Sequence, residues 1–159
     1  MKEVVQLLIH QYDGMWNMLT QAIDNIPNDL WAKEDNKWYF ALTAYHVVET
    51  ADFYVRSTPE GMEFGKRLGQ VEWWKNIGHQ EAANRLSKTL VLDYLQEVKA
   101  RVKTTLEESS MDDLLSKDKF HWFSSILEKY VYLLRHNSYH IGELAKKLRR
   151  EDKTRVKWT

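Results

Sequence analysis

The sequence predicts an all-α protein, a four-helix bundle with a long crossover between helices 2 and 3. Three observations carry this. Apolar residues recur at alternating spacings of three and four over four long segments. Only two prolines, Pro27 and Pro59, interrupt 159 residues, and no segment has the composition or alternation of a strand. Residues 57–87 hold Gly61, Gly65, Gly69 and Gly78, four of the six glycines. They break the helical pattern for long enough to let the chain cross a bundle end to end.

In the first segment Leu8, Tyr12, Met15, Leu19, Ala22 and Ile26 form one stripe, predicting a helix over about residues 2–25 that stops near "NIPND". His10 falls opposite this stripe and is expected in solvent. The second helix is expected after Asn36, in "NKWYFALTAYHVVETADFYVRS". Leu42, Tyr45, His46, Glu49 and Phe53 mark one face, while Ala41, Ala44, Val48, Ala51 and Val55 cover another. A helix apolar on most sides is buried, so His46 and Glu49 are expected to point inward, where an unpaired polar group is costly.

The crossover follows. Thr58-Pro59 suits the start of a short helix, and Trp73 and Trp74 are expected to cover the bundle or a pocket mouth. The third helix begins after Ser87 and repeats Val91, Tyr94, Leu95, Val98, Val102 and Leu106. Ser110-x-x-Asp113 resembles a capping box within a connection, and Ser125-x-x-Glu128 predicts a stronger one at the start of the last helix. The expected core stripe of that helix is Leu127, Val131, Leu134, Ile141, Ala145 and Leu148.

The chain is read as one domain, residues 1–159. Apolar residues make up 43% and aromatics 13%, with seven tryptophans, which suits a packed core. Lys plus Arg and Asp plus Glu both number 23, so no net field draws the chain to nucleic acid or an anionic membrane. The basic segment from Lys146 to Lys157, interrupted by Glu151 and Asp152, reads as solvated cations complementing a helix C-terminus, and nucleic acid is not an expected partner. No apolar run approaches a bilayer's thickness, and the N-terminal apolar run is too short for a signal peptide. A cytoplasmic location is therefore expected. Without cysteine, a metal must be held by histidine, carboxylate or water.

On the last helix, His136 and His140 stand four residues apart, one turn above the other on one face. That spacing lets two imidazoles converge on one ion, and His46 is the natural third ligand. An HxxxH pair also arises in helices without metal, and an inward histidine is often a hydrogen-bonded core residue. His79 and His121 lie in connections and are not expected as ligands.

The pattern "WYFALTAYHVVETADFYV", followed far downstream by "LLRHNSYHIGELAKKLR", resembles the DinB/YfiT-like superfamily of metalloenzymes. The resemblance covers nearly the whole chain. It implies a four-helix bundle with a metal triad, one histidine from the second helix and an HxxxH pair from the last. These fall on His46, His136 and His140. Some relatives are transferases or isomerases that depend on a low-molecular-weight thiol, so a thiol co-substrate and a small-molecule substrate are implied. A homodimer is expected from the aromatic-rich composition and family habit.

Three neutral imidazoles leave a coordination position open, as catalytic sites do. A divalent ion there would polarise a carbonyl, activate water or hold a thiol as thiolate. Zinc or nickel suits such a site best, with iron or manganese also compatible. Glu49 and Glu143 each follow a proposed ligand by three residues and are the candidate catalytic groups, as orienting acceptors or proton acceptors. Asn137 is placed to line the site. A di-metal carboxylate bundle fits poorly, because the His-x-x-Glu order is reversed from that class. The alternative to an enzyme is a non-catalytic metal-binding bundle acting as a binding or stress-response module.

Overall fold

The computed structural model describes residues 2–151 and 153–159; Asp152 of the basic segment and Met1 lie outside them. Four long helices form the bundle: α1 (Lys2–Asn25), α3 (Phe40–Tyr54), α6 (Lys88–Glu108) and α8 (Ile126–Arg150). Shorter elements join them: α2 (Asn28–Trp31), strands β1 (Glu34–Asp35) and β2 (Trp38–Tyr39), α4 (Trp73–Asn76), α5 (His79–Arg85) and α7 (Met111–Leu115). The main packing pairs are α3 with α8, α1 with α8, α1 with α6 and α3 with α6. Around the bundle the order is therefore α1, α6, α3, α8.

Side-chain pairings give the directions. Tyr45 meets Tyr94 and, seven residues on, Asp52 meets Arg101, so α3 and α6 run parallel. Two parallel helices cannot be joined by a tight turn. The chain must return the length of the bundle first, and residues 55–87 do so. Tyr54 meets Tyr132 while His46 meets His140, so α3 and α8 run antiparallel.

Every residue of the predicted α1 stripe is buried, together with Val5, Ile9, Trp16 and Ile23. Each such large side chain contributes about 1.5–3 kcal/mol on burial. Tyr12 belongs to the same stripe and finds a partner for its hydroxyl, donating to the carbonyl of Tyr130 at 2.7 Å. On α8 the register differs from expectation. The buried row is Tyr130, Leu133, Asn137, Ile141, Leu144 and Leu148, while Val131 is 51% exposed. The true row includes a polar residue, Asn137, which an apolar count passes over.

Three local expectations are corrected. A two-stranded antiparallel hairpin precedes α3, with Asn36 and Lys37 both left-handed (φ 52° and 63°) in its two-residue turn. Such a turn usually announces itself with glycine. Here Glu34 supplies the fixing contacts, accepting from the Lys37 amide and the Tyr39 hydroxyl. No helix starts at Pro59; the crossover instead folds into a 3-10 turn at Lys66–Leu68, then α4 and α5. The complete capping box is at Ser110–Asp113. At α8, Ser125 caps the Glu128 amide, but the Glu128 carboxylate turns back to Ser124.

Trp73 packs against the core and Trp74 stays largely exposed, so one of the two covers the bundle. Gly65 sits at φ 85°, where a Cβ would meet the Gln70 carbonyl oxygen at 2.3 Å; no other residue fits that turn. Lys129 is 2% exposed, paired with Asp118, donating to the Arg56 carbonyl at 2.8 Å and lying over the Phe120 ring. Burial lowers its pKa, against the raising effect of Asp118.

Removing one partner of a buried pair strands the other charge. Lys129→Ala is expected to cost about 3–5 kcal/mol of unfolding free energy in denaturant titrations. Lys129→Met combined with Asp118→Leu should recover most of that loss. Hydrogen bonds at the caps hold the carboxyls of Asp113 and Glu128 below the usual range, from Ser110 and Ser124 respectively. A folded pKa below the unfolded one contributes stability above the unfolded value of about 4, and that contribution fades as pH falls through the folded value. Asp113→Asn and Glu128→Gln should therefore flatten the acid limb of the stability-versus-pH curve below about pH 4, as read by thermal melts.

Candidate metal centre

His46 comes from the middle of α3, His136 and His140 from consecutive turns of α8. Because α3 and α8 pack antiparallel, the three imidazoles meet at one place. Their ring centroids lie 5.2, 4.9 and 4.7 Å apart, at steep mutual angles. One ring nitrogen from each can be chosen so that all lie within 4.8 Å of one another. Nitrogens around a tetrahedral ion with bonds of about 2.0–2.1 Å lie about 3.4 Å apart. Small side-chain rotations close that gap.

Each imidazole meets a side-chain oxygen at Nδ1. Thr50 Oγ1 lies 3.4 Å from that of His46, Asn137 Oδ1 3.2 Å from that of His136, and Glu143 Oε2 2.7 Å from that of His140. An amide oxygen and a carboxylate only accept, so Nδ1 is the donor in both His136 and His140, and Nε2 is the nitrogen left to face an ion. A hydroxyl at the third position can do the same for His46. This is the arrangement that orients ligating imidazoles in metal sites.

Burial pushes the pKa of His46 down to about 4, with His140 and His136 adding to the effect. The His46 side chain is nevertheless open to solvent on one side. It was expected inward, but Val47 and Val48 take the core positions and His46 lies on the rim between α3 and α8. Burial also lowers the pKa of His136, opposed by its bond to Asn137. Both shifts favour the neutral ring, the form a ligand must take.

Asn137 is fully buried and makes two bonds. Its Oδ1 faces His136, and its Nδ2 donates to the Val47 carbonyl at 3.2 Å, next to His46. Tyr132 stacks on His136 at 5.9 Å between centroids and continues into Tyr54 and Phe123. The cluster thus has an aromatic wall on the side nearer the start of α8.

The structure brings Glu143 to the cluster but not Glu49. The Glu49 carboxylate accepts from the Tyr45 hydroxyl at 2.7 Å and the Gly65 amide at 2.6 Å. It lines a separate cavity of about 500 Å³ with Asp52, Arg56 and Tyr94. Burial raises its pKa, against the lowering effect of those two bonds. Its place is an anchor for the crossover, and the oxygen beside the third imidazole comes from Thr50, one residue further along. Thr50 is four residues after His46, a spacing that sequence reasoning did not weigh. His10, His79 and His121 are exposed and lie outside the cluster.

A helical bundle with a crossover between its second and third long helices, closing three histidines from two helices onto one point, defines a class of bundle with a metal-compatible cluster. The DinB superfamily model matches residues 11–144, and the chain belongs to that family. Comparisons with curated proteins and with solved structures give no match. The matched residues include all three histidines together with Thr50, Asn137 and Glu143. Among the described residues, no helix is long and apolar enough to cross a membrane.

Glu143→Ala and Asn137→Ala are each expected to weaken divalent-metal binding by about 10–100-fold, measured by competition with a chromophoric chelator. Asn137→Ala should in addition lose about 1–3 kcal/mol of stability, because it removes a buried bridge to α3. Glu143→Ala should leave stability nearly unchanged.

Proposed function

We propose that His46, His136 and His140 hold one divalent ion, and that the protein is a metal-dependent transferase joining a low-molecular-weight thiol to an electrophilic substrate. The observation that carries this reading is the set of side-chain oxygens, one at the Nδ1 of each ring. An inward histidine is ordinarily hydrogen-bonded; what sets these apart is that three rings at one place share the arrangement, each with its Nδ1 taken by a side-chain oxygen. The donor set is all nitrogen and uncharged, which suits zinc or nickel better than ions that favour carboxylate ligands. When bound, such an ion supplies Lewis acidity that stabilises an anionic sulfur or oxygen at its open position.

The chain's own residues do the rest. Thr50, Asn137 and Glu143 fix the imidazole tautomers and orientations. Tyr132, with Tyr54 and Phe123 behind it, shields one side of the site and offers an apolar surface to the electrophile. The open rim at His46 admits the small molecules. In the transfer the thiol gives its proton to solvent, sulfur forms the new bond to the electrophilic carbon, and the leaving group departs with its electron pair. Glu49, tied to Tyr45 and Gly65, has no step and keeps the crossover seated. A non-catalytic metal module is the second reading. The exposure of His46 favours catalysis, since structural metal sites are closed.

Untagged protein loaded with zinc or nickel should bind one equivalent, and each of His46→Ala, His136→Ala and His140→Ala should lose it, as read by elemental analysis after dialysis. Full occupancy in all three variants would sink the metal centre. Metal-loaded protein should accelerate the reaction of at least one small thiol with a chlorinated aromatic acceptor, and chelation should abolish the rate. Metal binding without turnover across a panel of thiols would favour the non-catalytic module.

A further inference from the structure

Beyond the histidines, the same stripe of α8 continues toward its C-terminal end. At 100° per residue Tyr132, His136, His140, Glu143, Lys147 and Arg150 fall within about 80° of one another. The stripe therefore runs from an aromatic surface, through the metal-compatible cluster, to a cationic end. There the β1–β2 hairpin lies beside α8 and the two border an open recess of about 280 Å³, lined by Asp35, Trp38, Glu143, Lys146, Lys147 and Arg150. Glu143 belongs to both places: its carboxylate meets His140 Nδ1 at 2.7 Å and its side chain lines the recess.

The charges of the recess are not equivalent. Lys147 is held 3.1 Å from Asp35 and 2.5 Å from Glu151, and those contacts raise its pKa against burial. Asp35 is in turn taken up by Lys147 and, more loosely, by Arg150 at 3.4 Å. Glu143 is engaged by His140. Both carboxylates of the recess thus have partners. Lys146 has no ion pair among the described residues, and Arg150, with 61% of its side chain exposed, has only the long contact to Asp35. Cations at a helix C-terminus complement its dipole wherever they point. The dipole does not account for an indole wall facing them, nor for a carboxylate that connects them to a ligand-grade imidazole.

We infer that the small molecule acting at the histidine cluster carries a carboxylate, seated in this recess by Lys146 and Arg150 against the Trp38 ring. The inference rests on the proposed small-thiol chemistry and names the feature by which this chain selects its thiol or acceptor. At 1.5 Å rise per residue the anionic seat lies about 9–15 Å along α8 from His140. A compact thiol acid would not reach both points, and an extended one would. Of the residues that line the seat, Asp35, Trp38 and Glu143 lie within the stretch that matches the family model, and Lys146, Lys147 and Arg150 lie beyond it.

The test is calorimetric titration of metal-loaded protein with 6-mercaptohexanoate and with 6-mercaptohexanol, which differ only in the charged end. The acid should bind at least tenfold more tightly to the native chain, and Lys146→Glu/Arg150→Glu should erase or reverse that advantage with metal content unchanged. Equal binding of acid and alcohol, or an advantage that survives the double charge reversal, would overturn the seat and leave the thiol reading standing. If neither thiol binds while metal is retained, the thiol reading fails by itself. Hexanoate then replaces the thiols in the same titration. Hexanoate binding that the double reversal abolishes supports the seat, and absent or unaltered binding overturns it.

Discussion

Asn137 ties α8 to the backbone of α3 inside the core, and the histidine cluster depends on that tie. A buried amide is costly unless its donors and acceptor are used. Here the amide nitrogen reaches the Val47 carbonyl and the oxygen faces His136. The position therefore sets two things together: the sliding register of α8 along α3, and the tautomer of one imidazole. A slip of α8 by a single turn would move His140 out of reach of His46 and also strand the amide.

The cluster combines a constrained interior with an open mouth. Thr50, Asn137 and Glu143 approach the rings at Nδ1, while His46 faces solvent from the rim. Lowered pKa values at His46 and His136 follow from burial of the rings and favour their neutral form. Burial at two of the three rings thus favours the uncharged form in which imidazoles can be gathered together.

Much of this was legible in the sequence, and the limits have physical causes. The α1 and α6 stripes were apolar throughout and read directly. The HxxxH pair and His46 were found because helical geometry makes i and i+4 neighbours, and the family resemblance supplied the same three positions. On α8 the expected Ile141 and Leu148 are buried, while the rest of the stripe was misplaced, since the true row contains Asn137 and an apolar search prefers Val131. His46 was assigned to the interior because its helix is apolar on most sides; the rim position appears only once α8 is docked. The hairpin was missed because Asn36 and Lys37 carry no glycine signal. Glu49 shared the spacing of Glu143, but a helix side chain can turn toward either neighbour, and the crossover that captures it lies sixteen residues away. Lys129 and Asp118 could not be paired from a pattern in which charged residues default to solvent.

The crossover is seated on α3 through the Glu49 carboxylate and the Gly65 turn, on the flank facing α6, whereas the histidines occupy the flank facing α8. The helix therefore divides its labour between two faces. Residues of the crossover can be exchanged, inserted or lost on one flank while the geometry of the imidazoles is kept by contacts on the other. A fold arranged in this way can change on one flank of α3 without disturbing the coordinates of the three rings on the other.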